Sequence, residues 1–276
     1  MGRAELTAVL RGLADVAVAV SGGVDSMTLA VVAARDPEVR ATMFHAVSPA
    51  VPPEATLRVK RRAAEEGWDL RIVDAEEFRD RDYLRNPVDR CFYCKSNLYA
   101  TIAASTDSQI VSGTNADDLG DYRPGLKAAA TQGVRHPYVE AGIDKDEVRG
   151  LARALGLEDI AELPAAPCLA SRIETGLAIE PRSLRIVNEV ERDLTRRLEP
   201  EAVRCRVRAG RVVVELDEAA LGALDETERS RIVDEVAERW RRGARSLPVE
   251  LSPYRRGSAF LRGATDPASP PSRTGA

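Results

Sequence analysis

The run Val16 to Val20, VAVAV, is apolar at every position, so a strand formed there must be covered on both faces, as in a parallel sheet. It stops at SGGVDS, Ser21 to Ser26, and passes directly into MTLAVVAA, which reads as a helix. Ser21, Gly22 and Gly23 let the backbone turn tightly and approach a ligand, while Asp25 and Ser26 open the helix, whose unpaired amides attract phosphate. A Gly-Gly pair alone marks only a tight turn. Six residues in this order at a strand-to-helix junction are more specific, and they differ from both G-x-x-x-x-G-K-[ST] and G-x-G-x-x-G.

The alternation continues. Ala41 to Val47 reads as a strand, Glu54 to Glu66 as a helix, Leu70 to Val73 as a strand, Phe92 to Ala104 as a helix, and Gln109 to Ser112 as a strand ending in Gly113. Lys145 to Leu155 is an amphipathic helix closed by Gly156. Strands alternating with helices predict an α/β fold with a parallel, doubly wound sheet, whose ligands sit beyond the carboxyl ends of the strands. Pro164 and Pro167 interrupt the pattern within ELPAAPCLASRIETG, and a domain boundary is expected at its end. Beyond it come a helix (Pro181 to Leu198), a hairpin (Ala202 to Leu216), a helix (Glu226 to Arg241) and a strand (Ser246 to Leu251). The expected organisation is residues 1–176, a smaller C-terminal α+β domain over 177–262, and a disordered Pro-, Ser- and Gly-rich tail over 263–276.

A chain of 276 residues with 44% hydrophobic residues can supply two cores. The net charge of −4 does not favour nucleic acid as a partner. No apolar run approaches the ~20 residues that span a bilayer, and MGRAELTAVLRG lacks a signal core, so a cytoplasmic location without membrane attachment is expected. In a reducing compartment, Cys91, Cys94, Cys168 and Cys205 argue for metal, redox or nucleophile roles, or simple burial, ahead of disulfides.

NPVDRCFYCK holds Cys91 and Cys94 as C-x-x-C, and Cys168 follows in the proline-containing loop. The pair alone is compatible with a redox couple, half of a zinc site or two buried thiols. Three thiolates suit a 4Fe-4S cluster with one open iron, useful to a protein that moves sulfur. Alternatively, Cys168 acts alone as a nucleophile, with Arg172 favouring its thiolate. Cys205 falls in an alternating strand where burial is expected. In SGTNADDLGDYRPGLKA, Gly113 ends a strand at the same sheet edge as SGGVDS, and Asp117, Asp118 and Asp121 supply hard oxygens suited to Mg2+ on ATP phosphates. Arg123 and Lys127 suit a phosphate or carboxylate.

SGGVDS resembles the PP-loop of the ATP pyrophosphatases, adenine nucleotide alpha hydrolase-like proteins that split ATP between its α and β phosphates. Together with NPVDRCFYCK, SGTNADDLGDYRPGLKA, PCLASRI and YRRGSAF, in that order, the chain resembles the LarE family of ATP-dependent sulfur transferases over roughly Leu6 to Leu261. GDYRPGLKA and CLASR are the specific parts.

The resemblance implies that ATP adenylylates a carboxylate of pyridinium-3,5-biscarboxylic acid mononucleotide. A sulfur nucleophile then displaces AMP, and the thiocarboxylate enters the nickel-pincer cofactor of lactate racemase. In one version of the family a cysteine matching Cys168 surrenders its own sulfur and becomes dehydroalanine. In the other, three cysteines hold a 4Fe-4S cluster, and the presence of Cys91 and Cys94 beside Cys168 favours this type. Carried over, Ser21, Gly22, Gly23, Asp25 and Ser26 match the phosphate loop, Arg172 the arginine after the sulfur cysteine, and Arg204 and Arg206 the phosphate-contacting arginines of the C-terminal hairpin. Glu191 matches an acidic residue that helps bind metal at the family's subunit interface, and a homo-oligomer, a hexamer, is implied. Glu174-Thr175 departs from the family's common Pro-Tyr, and the acidic partner expected near Ala223 is displaced to Asp225.

Two other readings compete. Some PP-loop tRNA thiolases combine SGGxDS with a C-x-x-C and a later cysteine, but they must hold a polyanion, whereas Arg204, Arg206, Arg255 and Arg256 suit the one or two phosphates of a mononucleotide. A nucleotide- or zinc-binding module without turnover leaves Asp117, Asp118, Arg123 and Cys168 without a role.

Overall fold

The computed structural model describes residues 2–120, 123–164 and 166–255. Asp121, Arg256 and the expected tail lie outside the described residues. Helix α1 (Gly2–Leu13) leads into strand β1 (Asp15–Ala19), α2 (Val24–Arg35), β2 (Arg40–Ala46), α3 (Pro53–Glu66) and β3 (Asp69–Val73). Next come α4 (Arg81–Leu84), α5 (Arg90–Ala103), β4 (Gln109–Ser112), α6 (Pro124–Thr131), α7 (Pro137–Glu140), α8 (Lys145–Ala154) and α9 (Glu158–Ala161). The remainder is α10 (Pro181–Leu198), β5 (Val203–Arg208), β6 (Arg211–Leu216), α11 (Glu218–Ala223), α12 (Glu226–Gly243) and β7 (Val249–Pro253).

The first sheet has the order β3-β2-β1-β4 with every pairing parallel. Alternation along β1 buries Val16 and Val18 with Met27, Val31, Val148 and Leu151 on one face, and Ala17 and Ala19 with Tyr99, Ile102 and Ala129 on the other. That double covering is why the strand has no polar face. The chain builds β1, β2 and β3 outward in one direction and then returns to lay β4 on the opposite side of β1. This reversal opens a crevice between the carboxyl ends of β1 and β4, the position where doubly wound sheets bind ligands.

The second sheet is mixed, order β5-β6-β7, antiparallel in the hairpin and parallel between β6 and β7. Val203, Cys205 and Val207 turn one face of β5 onto Leu184, Val187, Val190 and Leu194 of α10 and onto Val236 and Trp240 of α12. Strand β7 starts three residues later than expected. The Val212 amide donates to the Pro248 carbonyl at 2.9 Å, so pairing with β6 sets the start of the strand. Among the described residues no helix is long and apolar enough to cross a membrane.

The segment carrying Cys168 is held between the two sheets. The Leu169 amide donates to Ala50 O at 2.9 Å on one side, and the Glu174 amide donates to Val207 O at 2.9 Å on the other. Asn86, fully buried at φ 54°, ties it from a third direction by donating from Nδ2 to Glu174 O at 2.9 Å and Ile173 O at 3.2 Å.

Candidate active site

Two constellations meet at the sheet's carboxyl edge. The first is built on the SGGVDS turn. Gly22 lies at φ 86°, and a Cβ there would meet Ala55 O at 2.9 Å, so glycine is required both by conformation and by the close approach of α3. A Cβ on Gly113 would meet the Ser26 amide nitrogen at 2.8 Å, so β4 leaves the sheet in direct contact with the first turn of α2. The Ser26 hydroxyl accepts from the Ser21 amide at 3.0 Å and lies 3.1 Å from the Ser21 hydroxyl, closing the turn on itself. Gly23 is the N-cap of α2 with no side-chain cap bond. The amides of that first turn are therefore not occupied by a cap.

Asp25 is the hub. Its Oδ1 accepts from Asn115 Nδ2 at 3.0 Å, its Oδ2 pairs with Lys145 Nζ at 2.5 Å, and its carbonyl accepts from the buried Tyr138 hydroxyl at 3.0 Å. Asn115, itself 2% exposed, is held by the Asp117 amide donating to its Oδ1 at 3.1 Å. Asp118 takes the Asn115 amide at 3.2 Å and Arg123 at 2.7 Å. Asp117 accepts the Lys145 amide at 3.2 Å, tying the start of α8 into the site. Asp25, Asp117 and Asp118 are thus brought together across the β1/β4 crevice as expected carboxylates, in a network whose cations are Lys145 and Arg123. The stretch from Ala116 carries a short 3-10 turn, Ala116–Gly120, and helix α6, whose N-cap is Arg123.

The second constellation is the thiols. Cys91 and Cys94 stand in the first turns of α5, and Cys168 is the N-cap residue of the 3-10 turn Leu169–Arg172. Cys94 and Cys168 pack on the same apolar cluster, beside Tyr83. Burial, then the field of Cys168, pushes the Cys94 thiol up to about 12, and the same causes in the same order raise Cys91. The field of Cys168 reaches both Cys91 and Cys94, which places the three sulfurs in one neighbourhood, and thiolate sulfur is the donor that iron-sulfur clusters take. Among the described residues no group of three or more Cys, His, Asp or Glu is placed to hold a metal ion as the side chains stand. Cys205 is fully buried on the α10 face of β5, within the apolar cluster on which Cys94 and Cys168 pack, and burial raises its thiol well above the ordinary value.

Arg172 is only 5% exposed in its side chain and forms a two-pronged pair with Glu191, Nε to Oε1 and Nη2 to Oε2, both at 2.9 Å. Burial works to lower its pKa, but the bonds and charge of Glu191 outweigh this and raise it. Its contact with Cys168 is a 3.4 Å bond to the carbonyl oxygen, beside a 2.8 Å bond to Pro167 O. Much of its charge is therefore matched by Glu191, and what it positions directly is the backbone of the cysteine loop. Glu191 also accepts the Cys205 amide at 2.8 Å. The carboxylate expected from resemblance to hold metal is thus engaged inside the protein.

Arg204 and Arg206 do share one face of β5, as alternation requires. Arg206 is 4% exposed, pairs with Glu215 at 2.8 Å and donates to Ser171 O at 3.3 Å. Arg204 lies 5.7 Å from the ring centroid of Tyr254, and burial, then the Arg172 charge, lowers its pKa. Asp225, the displaced acidic residue, caps α12 by accepting the Glu228 amide at 2.8 Å.

The two constellations are joined. The Arg123 charge reaches Cys91, and α6, which Arg123 starts, packs on α5 so closely that a Cβ on Gly125 would meet Lys95 Cγ at 3.1 Å. Lys95 stands 5.7 Å from the Tyr99 ring, within the fields of Cys94, Cys91 and Cys168. Sequence reasoning missed Lys145, Tyr138, Lys95 and the bonding role of Asn115. Lys145 and Tyr138 lie outside every motif, while Lys95 and Asn115 lie inside NPVDRCFYCK and SGTNADDLGDYRPGLKA without a pattern that reveals their partners.

No protein-family model matches the chain. It is 38% identical over 203 residues to an uncharacterized protein of Synechocystis sp., covering 72% of this chain and 75% of the relative. It is 33% identical over 226 residues, 80% of this chain and 81% of the relative, to the pyridinium-3,5-bisthiocarboxylic acid mononucleotide synthase of Lactiplantibacillus plantarum. An uncharacterized protein of Methanocaldococcus jannaschii is 23% identical over 215 residues, 76% of this chain and 81% of the relative.

Proposed function

The chain belongs to the LarE-type family of pyridinium-3,5-bisthiocarboxylic acid mononucleotide synthases, and from that membership we propose that it is an ATP-dependent sulfur transferase of the PP-loop class. Its substrate in this reading is pyridinium-3,5-biscarboxylic acid mononucleotide. A substrate carboxylate oxygen attacks the α phosphorus of ATP, the bond to the β-phosphate oxygen breaks, and pyrophosphate leaves. A sulfur nucleophile then attacks the acyl carbon and AMP departs, leaving a thiocarboxylate. The observation that carries the reading is the Asp25 hub, bonded to Asn115 and Lys145 across the β1/β4 crevice, with Arg123 linking that network to the cysteine-bearing helix.

The first-turn amides of α2 and the turn of Ser21, Gly22, Gly23 and Ser26 bind the phosphates. Asp25 and Asp118 are the residues that would hold ATP-bound Mg2+, whose charge offsets that of the phosphates. Lys145 holds the Asp25 carboxylate in place. Cys91, Cys94 and Cys168 would hold a 4Fe-4S cluster, and its open iron would supply a place for exogenous sulfide. Arg172 fixes the Cys168 backbone through the Pro167 and Cys168 carbonyls. Arg204 and Arg206 recognise the mononucleotide phosphate, which requires the Arg206–Glu215 pair to share its guanidinium. A cytoplasmic homo-oligomer is the setting this reading carries with it.

The test is pyrophosphate release from ATP with the biscarboxylic mononucleotide present. Asp25→Asn should slow it by at least about a hundredfold while circular dichroism stays unchanged. Unchanged release would refute the assignment. Anaerobic reconstitution separates the sulfur routes, because Cys91→Ala, Cys94→Ala and Cys168→Ala should each lose the iron chromophore and Cys205→Ala should keep it. Stoichiometric conversion of Cys168 to dehydroalanine without bound iron would instead establish the sacrificial route.

A further inference from the structure

Arg58, on α3, belongs to no motif in the chain, yet its Nη1 donates to the Gly22 carbonyl at 2.7 Å, on the glycine at the centre of the phosphate turn. The guanidinium is half-buried there. The carboxylates whose fields reach it are Asp159 and Glu54. Both are ion-paired elsewhere: Asp159 with Arg61 at 2.6 Å and Arg62 at 3.0 Å, and Glu54 with Arg192 at 2.5 Å. A guanidinium has several donors, so with Nη1 on the Gly22 carbonyl Arg58 stands at the phosphate turn with further N–H groups to offer a ligand. Burial lowers its pKa, as expected of a charge whose counter-ion is not in contact.

We propose that Arg58 is a further nucleotide-binding residue, contacting the pyrophosphate portion of ATP from the α3 side of the turn. The proposal rests on the nucleotide reading of the site. It assigns to Arg58 the charge that separates ATP from AMP, because the leaving pyrophosphate carries most of the negative charge and lies farthest from the sulfur chemistry. An arginine that only braced the turn through the Gly22 carbonyl would be replaced by glutamine, which keeps a donor, without loss for either nucleotide.

The experiment is calorimetric binding of α,β-methylene ATP and of AMP to the full chain, with Arg58→Gln as the main variant. Glutamine keeps an amide donor for the Gly22 carbonyl and deletes the charge. Arg58→Gln should weaken the ATP analogue by about tenfold or more and AMP by less than about twofold, and Arg58→Lys should recover part of the loss. Equal weakening of both ligands, or weakening of neither, overturns the proposal and leaves the nucleotide site standing. Failure of the wild-type chain to bind the ATP analogue overturns the nucleotide reading and this proposal with it. Arg58→Met, which keeps much of the bulk and deletes the charge, supplies the same comparison if the glutamine variant does not fold.

Discussion

Removing the Glu191 carboxylate should cost the protein a large part of its stability. Glu191→Ala deletes three accepted bonds at once: Arg172 Nε and Nη2 at 2.9 Å and the Cys205 amide at 2.8 Å. With side-chain exposures of 5% and 12%, water can replace little of what the ion pair loses. Breaking a buried pair from one side costs about 3–5 kcal/mol, since the remaining charge stays desolvated. Adding the bonds singly would exceed this, but Arg172 keeps its Pro167 and Ser171 partners at 2.8 and 2.9 Å and can shift toward them. Against a total of about 5–15 kcal/mol for a folded domain, the loss is about a fifth or more. Urea unfolding followed by the fully buried Trp240, in a Trp68→Phe background, reads it directly. Replacing both partners, Arg172→Met with Glu191→Leu, should recover most of the loss and leave mainly the unpaired Cys205 amide, about 1–3 kcal/mol. A single-variant loss below about 1 kcal/mol, or a double variant no better than Glu191→Ala, would refute the argument.

Gly113→Ala should destabilise by about 1–3 kcal/mol and depress ATP binding, because the Cβ meets the α2 backbone at 2.8 Å. Gly150→Ala, in α8 with nothing within 4 Å, should stabilise by about 0.5–1 kcal/mol, and thermal melts of the two compare them. Burial depresses the pKa of His45 below its ordinary 6.5, with the Val20 carbonyl bond acting the other way and Lys60 adding to the depression. His45 binds protons more readily when unfolded, so its contribution is complete above 6.5 and is lost as pH falls through its lower folded value. His136, depressed chiefly by burial, loses stability in the same direction. Melting temperature should therefore drop between about pH 7 and about pH 5, less steeply in His45→Gln, and an equal slope in that variant would count against His45. Lys145→Ala should cost under about 1 kcal/mol, being a partly exposed pair, yet slow pyrophosphate release by about tenfold or more; full activity would remove Lys145 from the site.

The elements that sequence alone determined are those whose pattern is local. Val16 to Val20 can be buried on both faces, Leu184, Val187, Val190 and Leu194 recur at helical spacing, and Gln109 to Ser112 and the β5–β6 hairpin carry their own boundaries. SGGVDS was legible because glycine conformation and a helix start are properties of adjacent residues. The four-residue helices α4, α7 and α9 are too short for a period to appear, and α4 depends on Asp80 accepting the Asp82 and Tyr83 amides. Strand β7 slipped because alternation in LPVELS does not say which residue of β6 it must oppose. In the site, the partners of Asp25 lie 90 residues away at Asn115, 120 at Lys145 and 113 at Tyr138, and Arg58 reaches Gly22 across 36. The reversal of strand order between β1 and β4 brings the partners of Asp25 to one crevice, and the pairing of β2 beside β1 brings α3 and Arg58 to the turn. The same holds for Arg172 and Arg206, which read as charges available to a ligand and are bonded to Glu191 and Glu215. A charge must be neutralised where burial removes water, and burial is decided by how distant segments pack.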